Sequence, residues 1–116
     1  NAYNSNPASA AYALEVLSQM KGRKIVMTPG FVDLGDYQKE AHRTFGKQIA
    51  QCASIVILVG RHQIQAIYDG LLEACFAKEA IHIATDREMA FTILRRLVKS
   101  GDIVLIENDL PQVFNR

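Results

Sequence analysis

Ser54-Ile55-Val56-Ile57-Leu58-Val59-Gly60 is the stretch on which the fold turns. Every residue from Ile55 to Val59 is a branched aliphatic, so a strand built from them has no polar face. A strand that is apolar on both sides belongs inside a parallel sheet covered by helices. Gly60 ends it, as glycine ends extended runs elsewhere.

Working outward, helical spacing flanks this strand on both sides. Upstream, Tyr37 to Gln51 repeats apolar residues at three- and four-residue steps, with Ala41, Phe45, Ile49 and Ala50 inward. Downstream, a helix over about 63–77 turns Ile64, Ile67, Leu71, Leu72 and Cys75 inward. Lys24 to Thr28 is a short β run stopped by Pro29-Gly30, and Ala80 to Ala84 is another. Thr85 and Glu88 have capping-box spacing and open a helix to about Lys99, with Met89, Phe91, Ile93, Leu94 and Leu97 apolar. Gly101 closes it, and Asp102 to Ile106 is the last strand. At the start, Asn6 or Ser5 caps a helix from Pro7 to about Met20, whose stripe is Ala10, Ala13, Leu14, Leu17 and Met20 and which Gly22 ends. The order α-β-α-β-α-β-α-β predicts an α/β, Rossmann-like three-layer domain: a mostly parallel sheet with helices on both faces.

The bulk properties fit a single domain. The chain has 116 residues, 49% hydrophobic and 22% charged, enough for one core and too short for two. A formal charge of +1 gives no pull toward nucleic acid or an anionic membrane. No apolar run approaches the roughly 20 residues of a membrane span. Cys52 and Cys75 form neither a CxxC pair nor a zinc spacing and read as buried free thiols. With no basic-then-apolar leader, the expectation is a cytoplasmic protein; Asn1-Ala2 reads as a stub left by protease cleavage and is kept out of the fold.

In such sheets ligands bind beyond the carboxyl ends of the strands. Those ends carry Thr28-Pro29-Gly30, Gly60-Arg61-His62, Thr85-Asp86 and Glu107-Asn108-Asp109. No GxxxxGK[ST] or GxGxxG is present, so the chain lacks a phosphate cradle of its own. Asp33, Asp36, Glu107 and Asp109 fall in rim loops, where carboxylates serve either to hold a cation or an ammonium group or simply to stay in water. His42, one turn into its helix, reads alone as a solvated residue; His62 points toward the rim; His82, between Ile81 and Ile83, reads as structural. The three histidines are too far apart in sequence to suggest a metal site. Nothing is arranged as a nucleophilic triad.

Three segments together resemble a known family: Tyr3-Asn4-Ser5-Asn6-Pro7, then the run from Lys24 through Thr28-Pro29-Gly30 to Gly35, then Glu40-Ala41-His42-Arg43-Thr44-Phe45-Gly46. They look like the C-terminal domain of Mur ligases, closest to the MurF type, with its DDAYNANPxS, GDMLELG and LHxxxG patterns. Gly101-Asp102-Ile103-Val104-Leu105 matches the family's last-strand GDxVL. The similarity runs along essentially the whole chain. It implies a domain, residues 1–116, that follows N-terminal and central ATPase domains absent from this sequence. It also implies an ATP-dependent amide ligase of peptidoglycan precursor synthesis. That enzyme would join an amino acid or dipeptide, D-alanyl-D-alanine in the family type, to a UDP-MurNAc-peptide through an acyl phosphate. ATP and Mg2+ would be held mainly by the central domain, and this domain alone would be inactive.

By the resemblance, Tyr3, Asn4 and Asn6 lie beside the adenosine of ATP, while Asp33 and His42 face the closing active site. Glu107, Asn108 and Asp109 stand where the family carries a basic KGSR segment. An acidic loop there suits an ammonium or neutral group, which sets the D-alanyl-D-alanine specificity in question. The family's GDM reads Pro29-Gly30-Phe31 here, so one aspartate is lacking. From the residues alone, a stand-alone nucleotide- or amino-acid-binding regulatory module is the alternative. A flavodoxin-like carrier is disfavoured, because the first strand is followed by neither an acidic pair nor a Ser/Thr-rich loop.

Overall fold

The computed structural model describes residues 6–31 and 38–107. Tyr3, Asn4, Asp33, Asn108 and Asp109, with Ser5, Gly35 and Asp36, lie outside them. The elements alternate as the sequence predicts: α1 (Pro7–Ser18), β1 (Lys24–Thr28), α2 (Gln38–Ala50), β2 (Ile55–Val59), α3 (Ile64–Glu73), β3 (Ile81–Ala84), α4 (Arg87–Leu97) and β4 (Ile103–Ile106). A 3-10 turn, Lys78–Ala80, leads into β3.

The strands form one parallel sheet in the order β3-β2-β1-β4. Side chains alternate across it. Val26, Val56 and Leu58 point to the face covered by α1, α2 and α3, where they meet Leu14, Leu17, Phe45, Ile49, Ile67 and Leu71. Ile25, Met27, Ile55, Ile57 and Val59 point to the other face, where α4 supplies Ala90 and Leu94. All five residues of β2 are buried, as its composition requires. Each fully buried aliphatic contributes about 1.5–3 kcal/mol through water release. The outer strands are half covered: Ile83 of β3 is 46% exposed and Ile106 of β4 is 40% exposed.

Two glycines set the closest helix contact. A Cβ on Gly46 of α2 would run into the carbonyl of Ile67, and one on Gly70 of α3 into the carbonyl of Arg43. Their absence lets the α2 and α3 backbones touch. Arg43 then bridges Glu40 and Glu73 on the outer side, and Lys47 also reaches Glu73.

Local chemistry sets the element ends. Asn6 caps α1: its Oδ1 accepts from the Ser9 N–H at 2.9 Å, and Ser9 Oγ accepts from the Asn6 N–H at 3.2 Å. Pro7 occupies the first turn, where a missing N–H costs nothing. The helix stops at Ser18, short of the expected end, and Met20 is 45% exposed rather than part of the inward stripe. α4 is capped by Asp86, which accepts from the Met89 N–H at 2.8 Å, and not by the Thr85–Glu88 box. Met89 is therefore outside, 43% exposed.

α3 ends at Glu73, four residues before the expected 77. Cys75 takes φ +66°, the Phe76 N–H donates to the Leu71 carbonyl at 3.0 Å, and the Cys75 N–H donates to Leu72 at 2.9 Å. That is a Schellman ending with cysteine in the position glycine normally takes. It turns Cys75 into solvent, correcting its reading as a buried thiol. Cys52 is half-buried, and burial pushes its thiol pKa up.

At the amino end of the sheet, Arg23 forks onto Asp102, with Nε to Oδ1 at 3.1 Å and a terminal nitrogen to Oδ2 at 2.7 Å. The same nitrogen donates to the Leu97 carbonyl at 2.8 Å, and the Lys99 N–H donates to Asp102 at 2.7 Å. These bonds fasten the end of α4 and the start of β4 to the start of β1.

Candidate functional site

The order β3-β2-β1-β4 reverses direction between β1 and β4, so their carboxyl ends flank the crevice where such sheets take ligands. The turn after β1 is built with unusual care. The Gly30 N–H donates to Thr28 Oγ1 at 3.0 Å, and the Phe31 N–H donates to His42 Nε2 at 2.7 Å. Gln63, from the segment after β2, donates to the Pro29 carbonyl at 2.9 Å. Gly30 has φ +87°, and a Cβ there would fall 2.6 Å from His42 Nε2. The Phe31 ring stacks on His42 at 5.2 Å and 17°, with Phe45 at 4.7 Å on α2. On the β4 side, the Glu107 N–H donates to the Met27 carbonyl at 2.9 Å, extending the ladder.

His42 is fully buried, which corrects its reading as a solvated helix residue and gives it no surface for direct substrate contact. Since Nε2 accepts, the proton of the neutral ring sits on Nδ1, which the Gln38 carbonyl one turn back approaches without good hydrogen-bond geometry. Burial lowers the pKa below the ordinary histidine value, opposed in part by the Gln38 carbonyl. Glu107 is also nearly buried, at 5% exposure, so it belongs to the wall of the crevice more than to a solvated loop. Asn6 is exposed, with its amide oxygen engaged in the helix cap. His62 is exposed at the rim and His82 is half-buried in β3.

Among the clefts lined by described residues of α2, two lie toward the rim. One, of about 290 Å³, lies between Pro7, Phe31 and the α2 side chains Ala41, Thr44 and Phe45. It brings the start of α1 to the turn after β1, at the carboxyl end of the sheet. The other, of about 420 Å³, is lined by Gln38, Lys39, His62, Gln63, Gln65 and Asp69. Among the described residues no three of His, Cys, Asp or Glu are grouped as a metal site, and no loop has phosphate-cradling spacing. The described residues therefore do not by themselves fit Mg2+ or a triphosphate. No helix among them is long and apolar enough to cross a membrane.

Residues 1–107 match the family described as Mur ligase, glutamate ligase domain. The chain belongs to that Mur ligase family. Among solved structures, the MurF ligase of Thermotoga maritima in complex with ADP is similar at 24% identity and TM-score 0.72, over 90% of this chain and 22% of that one. A crystal structure of MurF from Acinetobacter baumannii gives 23% identity and TM-score 0.72, over 90% and 23%. A second from the same organism gives 23% and 0.69, over 90% and 22%. At these identities the likeness shows a shared fold. This Mur ligase domain spans little more than a fifth of the length of those enzymes.

Sequence reasoning found the rim and passed over part of what builds it. Phe31 and Gln63 are site-forming residues it did not place there, and Thr28 it put on the rim without a role. The available signal for His42 was its spacing: 42, 45, 46 and 49 form one helical stripe, all buried.

Proposed function

We propose that this domain is the closing, amine-positioning domain of an ATP-dependent amide ligase of peptidoglycan precursor synthesis. One observation carries the reading beyond family membership: Pro7, the last residue of the Tyr3-to-Pro7 motif, lines the same cleft as Phe31, at the strands' carboxyl ends. A lid needs that arrangement, because its attachment and its working face must lie together.

In this reaction a precursor carboxylate attacks the γ-phosphorus of ATP and releases ADP. The amine nitrogen then attacks the acyl carbon, expels inorganic phosphate and loses a proton. Magnesium, with no ligand set among the described residues, is assigned to the central domain, and no step here is routed through it. Tyr3, Asn4 and Asn6 are assigned to the adenosine side. Asp33, Glu107, Asn108 and Asp109 are assigned to the side of the incoming amine, where carboxylates favour an ammonium group. His42 acts through the turn it holds. The domain contributes position and exclusion of water on closing: holding the amine against the acyl carbon makes its attack effectively unimolecular, and keeping water out protects the acyl phosphate from hydrolysis. The loss of the basic segment after β4 supports an amine other than D-alanyl-D-alanine.

The test is ATP turnover by a polypeptide in which this domain follows its own N-terminal and central domains. UDP-MurNAc-peptides and a panel of amines, D-alanyl-D-alanine included, are the substrates. Sustained ADP release over many turnovers should require both substrates and be absent with residues 1–116 alone. No turnover with any muramyl precursor and amine would sink the reading.

A further inference from the structure

We propose that His42 is a protonation-gated positioning residue: only its neutral imidazole can hold the Pro29–Phe31 turn, so the rim is set in neutral solution and released in acid. This rests on the proposed function only for its consequence, an acid-sensitive rim on a ligase lid.

The geometry leaves one working protonation state. A backbone N–H can only donate, so the 2.7 Å bond from Phe31 requires a bare lone pair on Nε2. An imidazolium carries protons on both nitrogens and would set its Nε2–H against the Phe31 N–H. The turn cannot yield by sliding. Gly30 already lies so close to the ring that not even a methyl group fits between them, Phe31 is stacked on it, and Gln63 ties Pro29 from the other side. Protonation must therefore displace the ring or the turn.

Among the described residues, no nearby charge rescues the cation. The ionisable residues described on the surrounding elements are Lys39, Glu40, Arg43 and Lys47 on α2, Arg61 and His62 before α3, and Tyr68, Asp69 and Glu73 on α3. Arg43 pairs with Glu40 and Glu73 on the outer side. None of them contributes to the His42 titration, which is governed by burial against the Gln38 carbonyl. With the folded value below the unfolded one, the unfolded or opened state binds the extra proton. The closed turn is then favoured above the ordinary histidine value and loses ground as pH falls from there toward the lowered one.

The experiment uses the 116-residue chain in NMR, without nucleotide. At about pH 7.5 the ring nitrogens should report the Nδ1–H tautomer, with Nε2 as acceptor. The Phe31 amide protection factor, corrected for intrinsic exchange, should fall about tenfold per pH unit in acid, while that of Ile57 in β2 changes less. His42→Gln places an amide oxygen near the Nε2 position and should make Phe31 protection independent of pH. His42→Leu should lose Phe31 protection about a hundredfold or more at every pH. If that variant does not fold, the wild-type tautomer and pH series still decide. An Nε2–H tautomer, flat Phe31 protection while His42 titrates, or a wild-type slope in His42→Gln would each overturn the proposal. No readout involves ATP or an amine, so failure here leaves the ligase reading intact, and a silent ligase assay leaves this one intact.

Discussion

Gly70→Ala separates two views of the α2–α3 contact by the sign of its effect. Helix propensity alone predicts a gain of about 1 kcal/mol, because glycine inside a helix is that much poorer than alanine. The structure predicts a loss. The new Cβ meets the Arg43 carbonyl far inside the 3.0 Å that real Cβ contacts keep, and backbone cannot swing aside as a side-chain tip can. The helices must part, and parting thins the packing of Phe45, Ile67 and Leu71, all essentially buried. Overpacking of this kind costs about 1–3 kcal/mol. Partial exposure of three large side chains, each worth about 1.5–3 kcal/mol when fully buried, adds to it. Set against the propensity gain, the net loss is about 2–4 kcal/mol. With a urea m-value of about 1–3 kcal/mol/M, the unfolding midpoint should drop by about 1–2 M. Gly46→Ala presses on the same contact, since its Cβ would also lie 3.1 Å from the Gly70 Cα. The double variant should therefore cost less than the sum of the singles. A Gly70→Ala midpoint equal to or above the parent's would refute the close-contact argument.

Other expectations follow from the caps and the ion pair. Cys75→Gly should raise stability by about 1 kcal/mol, because the left-handed conformation at φ +66° costs an L-residue that much; calorimetry or urea melts measure it. Asn6→Ala should lower stability by about 1 kcal/mol and Asn6→Asp should not, so a full-length ligase that loses nucleotide affinity with Asp as well would reveal a role beyond capping. Arg23 first, then the Lys99 N–H, holds the Asp102 carboxyl below the usual range. A carboxylate so lowered stabilises the fold above its ordinary value and ceases to as pH falls through the lowered one. Stability should therefore decline on acidification below about pH 4, and Asp102→Asn should flatten that slope in a pH series of melts.

The architecture was legible because its signal is periodic. Ile55 to Val59 could only be an interior strand, and the alternation of short β runs with helical stripes implies a parallel sheet. Strand order was not legible, since pairing β1 with both β2 and β4 depends on contacts far apart in sequence. Helix ends failed where side-chain chemistry decided them: Asp86 outcompeted Thr85 for the exposed N–H groups of α4, and Cys75 took a conformation usually left to glycine. The role of His42 was hidden for a different reason. A polar residue on a helix is usually wet, and only the folded chain brings a buried backbone donor to its ring. The family pattern holding His42 and Gly46 marked both positions without giving either its cause.

The position of β4 against β1 has a kinetic side. No two consecutive strands can pair without first closing a helix-containing loop, and the β1–β4 ladder joins Lys24 to Ile103 across most of the chain. Closing so long a loop carries an entropic cost before any ladder bond repays it, which places this domain among slow, high-contact-order folders. On the ribosome, β1 would wait with one edge bare until the last strand emerges, and that interval is when the nascent polypeptide is most open to aggregation.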